Sequence, residues 1–296
     1  AGRRFASNKP SYQERQFAID IGGPVIPGRL TTNLAFNQNR AENVDTIRAT
    51  LPDSIFAIGI TRPVTSRSFE LRNTYQLANT HSLSFTAGYQ TSTSKNGGMG
   101  GFVMPERAWD AHGNSWDFQL QQFSSLSSRS IYETRFRWSG NRDETTPVSE
   151  KLRIDVLDAF SSGGAQNRAE NTGRIYDLSN LYTHLGEKLT LKAGTAISYR
   201  NINSLDATNF AGTFTFSSLE AFRNGRPINY RMNQGNPLVE LNQLELAFFV
   251  QNDFKLSPRF TLMYGFRYEV QTNLRDTNNF DPRVSIAYGI GRGTVI

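Results

Sequence analysis

His81, His112 and His184 are the residues of this chain best suited to proton transfer or to binding a metal ion. They stand far apart, with no HxxxH or HExxH spacing that would bring two imidazoles onto one face. Asp110 lies close to His112, and Glu150, Asp155 and Asp158 gather in one segment. Neither group makes a convergent Ser/His or Asp/His set, and the acidic one lacks the alternating ligands and glycine of a calcium loop. The chain contains no cysteine, which excludes a disulfide framework and a thiolate metal site. Gly97–Gly101 and Gly289–Gly293 have neither the GxxxxGK[ST] nor the GxGxxG arrangement of a phosphate loop. The expectation is a chain with no catalytic residue, no metal site and no cofactor. One segment has binding character: Trp109-Asp110-Ala111-His112-Gly113-Asn114-Ser115-Trp116. Two indoles beside polar groups can stack on a sugar or grip a peptide, so Trp109, His112 and Trp116 are candidate substrate contacts. The same tryptophans suit an interfacial aromatic belt better, because the segment rejoins a strand pattern at Asp117.

The elements that would carry these residues are strands. Phe260, Leu262, Tyr264, Phe266, Tyr268 and Val270 alternate with Thr261, Met263, Gly265, Arg267, Glu269 and Gln271. Strand side chains alternate between faces, so one face is apolar and the other largely polar. The pattern recurs from end to end in a chain of 296 residues that is only 38% hydrophobic but holds 21 Phe, 11 Tyr and 3 Trp. No run of about 18 apolar residues exists, so no membrane-crossing helix is expected. A β-barrel needs none, because only its lipid-facing alternate residues must be apolar. Soluble sandwiches and propellers also alternate, but their strands are shorter and their connections lack the alternation in length described next. The net charge of +6 comes from dispersed Lys and Arg, with no basic run or recognition helix, which argues against a nucleic-acid partner.

Short connections fall near residues 23–28, 78–82, 127–130, 186–188, 256–259 and 289–293, each with Gly, Pro, Asn or Ser. Between them lie longer segments, 41–66, 93–116, 142–171, 203–239 and 274–280. Outer-membrane barrels have short periplasmic turns and long extracellular loops, so the short turns mark the periplasmic rim. This parity gives about twelve strands of an all-β, antiparallel transmembrane barrel. Residues 152–157 and 213–216 look strand-like but break the parity. They are expected to be small hairpins in extracellular loops, with a short helix at 218–222. On the inward face, Arg135, Arg137, Arg267 and Glu269 would line a lumen or meet a plug. Phe248, Leu262 and Phe266 would face lipid, and Phe249 breaks the pattern on the opposite face, where it would pack against such a plug. The first residues carry no signal peptide and the last, from Gly293, look like the start of another strand, so the chain reads as an internal piece of a longer protein.

Three stretches resemble a known family. Residues 16–26, QFAIDIGGPVI, are similar to the strand and turn that follow the plug domain in TonB-dependent transporters. Residues 96–108, NGGMGGFVMPERA, resemble a Gly-rich loop of the Oar-like branch. The strongest likeness is FVQNDFKLSPRFTL at 249–262, continuing through YGFRYE at 264–269 and NFDPR at 279–283. The resemblance implies a 22-strand barrel filled by an N-terminal plug and energised through the TonB system. It implies import of a scarce, bulky substrate across the outer membrane of a Gram-negative bacterium, with carbohydrate or peptide as the expected cargo class. The chain would be one part, residues 1–296, of such a barrel, with the plug, the TonB-box segment and the C-terminal strands absent. Its partners would be outer-membrane lipid, its own plug, the TonB complex and an unidentified substrate. An adhesion or surface-organising barrel and a passive porin remain as alternatives.

Overall fold

The computed structural model describes residues 11–290 and the backbone of residues 294 and 295. The expectations for the first residues and for part of the turn at 289–293 fall outside the described residues.

Twelve strands form one sheet in which each is hydrogen-bonded to its neighbours in chain order. They are β1 (Tyr12–Ile26), β2 (Leu30–Thr50), β3 (Ile55–Ala78), β4 (His81–Gly97), β5 (Trp109–Ser127), β6 (Ser130–Pro147), β9 (Ala169–Leu185), β10 (Leu189–Asp206), β13 (Leu238–Ser257), β14 (Phe260–Gln271), β15 (Asn279–Ile290) and β16 (Thr294–Val295). Every pairing in this sheet is antiparallel, and it runs openly from β1 to β16 among the described residues.

The register fixes the two faces. Tyr89 pairs with Trp116, Phe118 with Trp138, Trp138 with Tyr176, and Tyr176 with Tyr199. Their rings follow one another across four strands: Trp116 and Trp138 at 6.2 Å, Trp138 stacked on Tyr176 at 6.3 Å, Tyr176 and Tyr199 at 6.2 Å. These aromatics stand about ten residues from their short turns, and at a rise of ~3.3 Å per tilted residue that sets an apolar band of roughly 25 Å. A second aromatic file, Phe85, Phe118 and Phe136, runs nearer the short turns, with centroids 5.0 and 6.2 Å apart. The opposite face carries the charged and small residues, and it is the hollow side. A concavity of about 440 Å³ spreads over β2 to β9, lined by Asn37, Glu70, Asp117, Arg137 and Asn141 among others.

The strands run farther than their apolar pattern. The segments 41–66 and 93–116, expected as loops, are instead largely strand: β2 and β3 pair up to Thr50 and Ile55, and β4 and β5 up to Gly97 and Trp109. The segments 142–171 and 203–239 likewise lose two to six residues at each end to strands. Beyond the lipid both faces meet water, so the hydrophobic alternation fades while the backbone ladder continues.

A second sheet fills the long connections. β7 (Arg153–Val156), β8 (Phe160–Ser162), β11 (Thr213–Phe216) and β12 (Asn229–Arg231) are ordered β12-β11-β7-β8. The two expected hairpins are therefore one sheet. β7 and β8 do form a hairpin, but β11 lies parallel to β7, which joins the two loops. Helix α1 (Leu219–Arg223) follows, capped by the Ser218 hydroxyl, which accepts from the Ala221 N–H at 3.1 Å.

This small sheet has a packed apolar core: Val156, Ala159, Phe160 and Phe216 are buried with Ile47 and Ala49 of β2, both fully inaccessible. Ile47 has the parity of Asn37 on β2, so the loop sheet packs on the hollow side of the barrel wall. It begins from the connections after β6 and β10 and reaches back to β2, so it crosses the hollow side of the sheet. Backbone bonds fasten it there. The Arg48 N–H donates to Gly101 O at 2.8 Å, Thr50 N–H to Ala159 O at 3.0 Å, and Met104 N–H to Ser161 O at 2.8 Å. Arg223 reaches the tip between β2 and β3, donating to Pro52 O and lying 3.2 Å from Asp53.

Candidate functional site

Two regions can meet a solute: the polar hollow face and the cap of loops above it. On the hollow face charge is arranged as ion pairs. Arg137 Nε lies 2.6 Å from Asp117, Arg200 lies 3.3 Å from Glu245, and Arg283 lies 2.6 Å from Asp281. Arg267 pairs with Glu269 two residues along the same strand. Arg135 shares this face, opposite Gln121 and Ser179. All these pairs are solvent-accessible, so each contributes at most about 1 kcal/mol to stability. Their larger effect is a polar, charge-balanced wall that a hydrated or polar partner can touch.

Phe249 stands out on this wall. It has the parity of Arg267, opposite which it pairs, while Phe248 falls on the lipid face. Its ring lies over Gly194 of β10, where any Cβ would collide with it. Beside it Gly265 leaves a second hollow of about 450 Å³ between Gln251, Met263, Arg267, Arg283 and Ser285. An aromatic ring next to an unfilled notch gives this part of the wall an apolar contact point among polar ones.

The three candidates from the tryptophan-rich segment part company. They lie on a paired strand, not a loop, and Trp109 and Trp116, seven positions apart on β5, have opposite parity. They cannot grip one ligand between them. Trp116 belongs to the aromatic belt, its ring over Gly140, where an added Cβ would sit 2.5 Å from the indole. His112 shares its face and is engaged by Thr93 at 3.4 Å and Asn114 at 3.1 Å. Trp109 is on the cap side, and its indole covers Gly97 and Gly98; a Cβ on Gly97 would meet it at 2.6 Å. Two glycines of the Gly97–Gly101 stretch are thus the seat of a tryptophan. The other histidines bond to serines near the short turns, His81 to Ser124 at 2.7 Å and His184 to Ser130 at 2.9 Å.

Sequence reasoning missed the ion pair that ties the cap. Arg107, in the 3₁₀ turn Pro105–Arg107, lies 3.2 Å from Asp155 of β7 and donates to Ser161 of β8. Arg153 also bonds Asp155, at 2.8 Å. Burial, helped by the neighbouring Arg153 charge, pushes the Arg107 guanidinium down to about 10, and Asp155 opposes that shift. The group remains a cation at neutral pH, so Asp155 is needed to offset it. Asp155→Ala should loosen the cap by about 2–3 kcal/mol, because it strands a largely buried charge. Hydrogen exchange in residues 98–108 and 153–162 reads this, and unchanged protection there would show that the pair contributes nothing.

A wide, lipid-girdled sheet with short turns at one rim, a polar hollow face and a folded cap at the other defines a class: the wall of an outer-membrane β-barrel. Residues 51–296 match the model of the outer membrane beta barrel domain family, and the chain belongs to that family. It is a protein of the outer membrane. No curated protein matches it. Among solved structures it is similar to the outer membrane transporter YddB from Escherichia coli, at TM-score 0.61 and 11% identity, over 94% of this chain and 36% of that one. It is equally similar to FpvA of Pseudomonas aeruginosa, solved with a heterologous pyoverdine, at TM-score 0.61 and 11% identity, over 96% and 39% of the two chains. The ferric enterobactin receptor PfeA of Pseudomonas aeruginosa matches at TM-score 0.56 and 12% identity, over 95% and 40%. At these identities the likeness is one of fold, and the chain spans less than half the length of each of these proteins.

Proposed function

We propose that the chain is part of the barrel of a TonB-dependent transporter of the Oar-like branch, which imports a bulky, scarce substrate using energy relayed from the inner membrane. In this reading residues 1–296 are one stretch of a single barrel domain, and the plug, TonB box and remaining strands lie elsewhere in a longer protein. It is a transporter and not an enzyme. The observation that carries the reading is the cap: three long connections fold together on the hollow face of β2, which would obstruct the mouth of the complete barrel, whereas a passive porin needs an open path. The fold likeness to proteins described as an outer membrane transporter and as a ferric enterobactin receptor supports it. Arg135, Arg137, Phe249, Arg267 and Glu269 would face the plug, and Trp109, under the cap, is the retained substrate contact.

Solute uptake by cells producing the intact protein tests this. Uptake of a bulky oligosaccharide or peptide should stop when the proton gradient of the inner membrane is dissipated. Uptake that persists would favour the porin. Neither uptake nor conductance would favour an adhesion or surface-organising barrel. Substrate specificity resides in loop shape, so the strands do not name the cargo.

A further inference from the structure

On the lipid side, just beyond the aromatic belt, two exposed arginines stand next to each other with no ion-pair partner among the described residues. Arg174 of β9 pairs across the ladder with Gly140 of β6, and Arg142 of β6 pairs with Thr172 of β9. The two are therefore diagonal neighbours on one face, roughly 7 Å apart. Their face is that of Trp138 and Tyr176, which lie nearer the short turns on the same strands, Tyr176 by two residues from Arg174 and Trp138 by four from Arg142. Gly140 between them is bare, and the Trp116 indole lies in the space it leaves. Asn114, opposite Arg142 on β5, completes the surround and accepts from the Tyr89 hydroxyl at 3.0 Å. The carboxylates one row farther out are engaged elsewhere: Glu144 accepts from the Thr146 hydroxyl at 3.2 Å, and Glu170 lies 3.9 Å from Arg168.

We infer that Arg142 and Arg174, framed by Trp116, Trp138 and Tyr176, form a binding site on the outer wall for the phosphorylated headgroup of an outer-leaflet lipid. Position and chemistry both carry this. The pair stands at the level where an apolar band of roughly 25 Å gives way to headgroups. Arginine forks match phosphate oxygens in paired hydrogen bonds, and the stacked rings below present a flat apolar face to the acyl chains. Two cations left unpaired at this height stand where the phosphates of the lipid lie. The site lies on the lipid face and is independent of the transport reading above.

The test is lipid retention by the intact protein in nanodiscs, read by native mass spectrometry after mild delipidation. The natural protein should retain a phosphorylated glycolipid over its dephosphorylated counterpart. Arg142→Ala with Arg174→Ala should reduce that retention roughly tenfold or more, at about 1 kcal/mol for each cation beside an anionic surface. Arg142→Lys with Arg174→Lys should recover part of it, and Arg267→Ala, on the hollow face, should leave it unchanged. Equal retention of both lipids by the natural protein would overturn the proposal even if the double variant failed to fold. So would a double variant that retains the lipid as the natural protein does. Displacement of the lipid by millimolar inorganic phosphate would also overturn it, because the site would then recognise a free anion and not a lipid.

Discussion

Phe266→Arg should destabilise the membrane-embedded protein by about 2–4 kcal/mol, the cost of a cation on the lipid face within the apolar band. Phe266 pairs with Val250 and Pro282 and packs against Phe280 at 5.5 Å, all on the lipid side. Its neighbour Arg267 projects to the hollow face and is ion-paired with Glu269 in the open, so Arg267→Ala should change stability by less than about 1 kcal/mol. Equilibrium unfolding of the intact protein in lipid vesicles measures both. If Arg267→Ala were the more damaging, the register of β14 would be shifted by one residue, which would exchange its two faces.

Phe160→Ala should unfasten the cap while leaving the barrel intact. Phe160 is 4% exposed and lies edge-on to Phe222 at 5.3 Å, in a core shared with Phe216, Val156, Ile47 and Ala49. Truncating a buried phenylalanine typically costs about 3–5 kcal/mol, and a cap this small has little reserve to absorb that. Limited proteolysis should then cut within 148–168 and 207–237, where the natural protein should resist. Under the proposed function, ion conductance through the mouth should rise with it only if the plug is also removed. Unchanged protease resistance would mean that the strand ladder below, and not this core, holds the loops.

The wall of the barrel was legible because lipid imposes a strict rule. Leu262, Tyr264, Phe266 and Tyr268 must be apolar while Met263, Gly265, Arg267 and Glu269 need not be, and that writes a period of two into β14. The same rule stops at the headgroups, which is why the upper halves of β2, β3, β4 and β5 read as loops. The failure of parity at 152–157 and 213–216 correctly marked those segments as outside the wall, and the helix at 218–222 was visible nearby. Their union into one sheet was not. A parallel pairing between residues some sixty positions apart leaves no local signal. The tryptophan segment reads as a loop for the same reason as the strand ends, and only the register shows that Trp109 and Trp116 face opposite sides of β5. The Arg107–Asp155 pair likewise depends on a contact between distant segments.

The absence of cysteine from the chain allows the two faces to be read directly, one introduced cysteine at a time. Single cysteines from 260 to 271 of the intact protein, with any cysteine outside these 296 residues replaced by serine, are spin-labelled in lipid bilayers and report collision with oxygen dissolved in lipid and with a nickel chelate dissolved in water. Oxygen accessibility should peak at 262, 264, 266 and 268, and nickel accessibility at 263, 265, 267 and 269, two waves of period two in opposite phase. Waves in the same phase, or a flat profile, would contradict the assignment of this sheet as a membrane-spanning barrel wall.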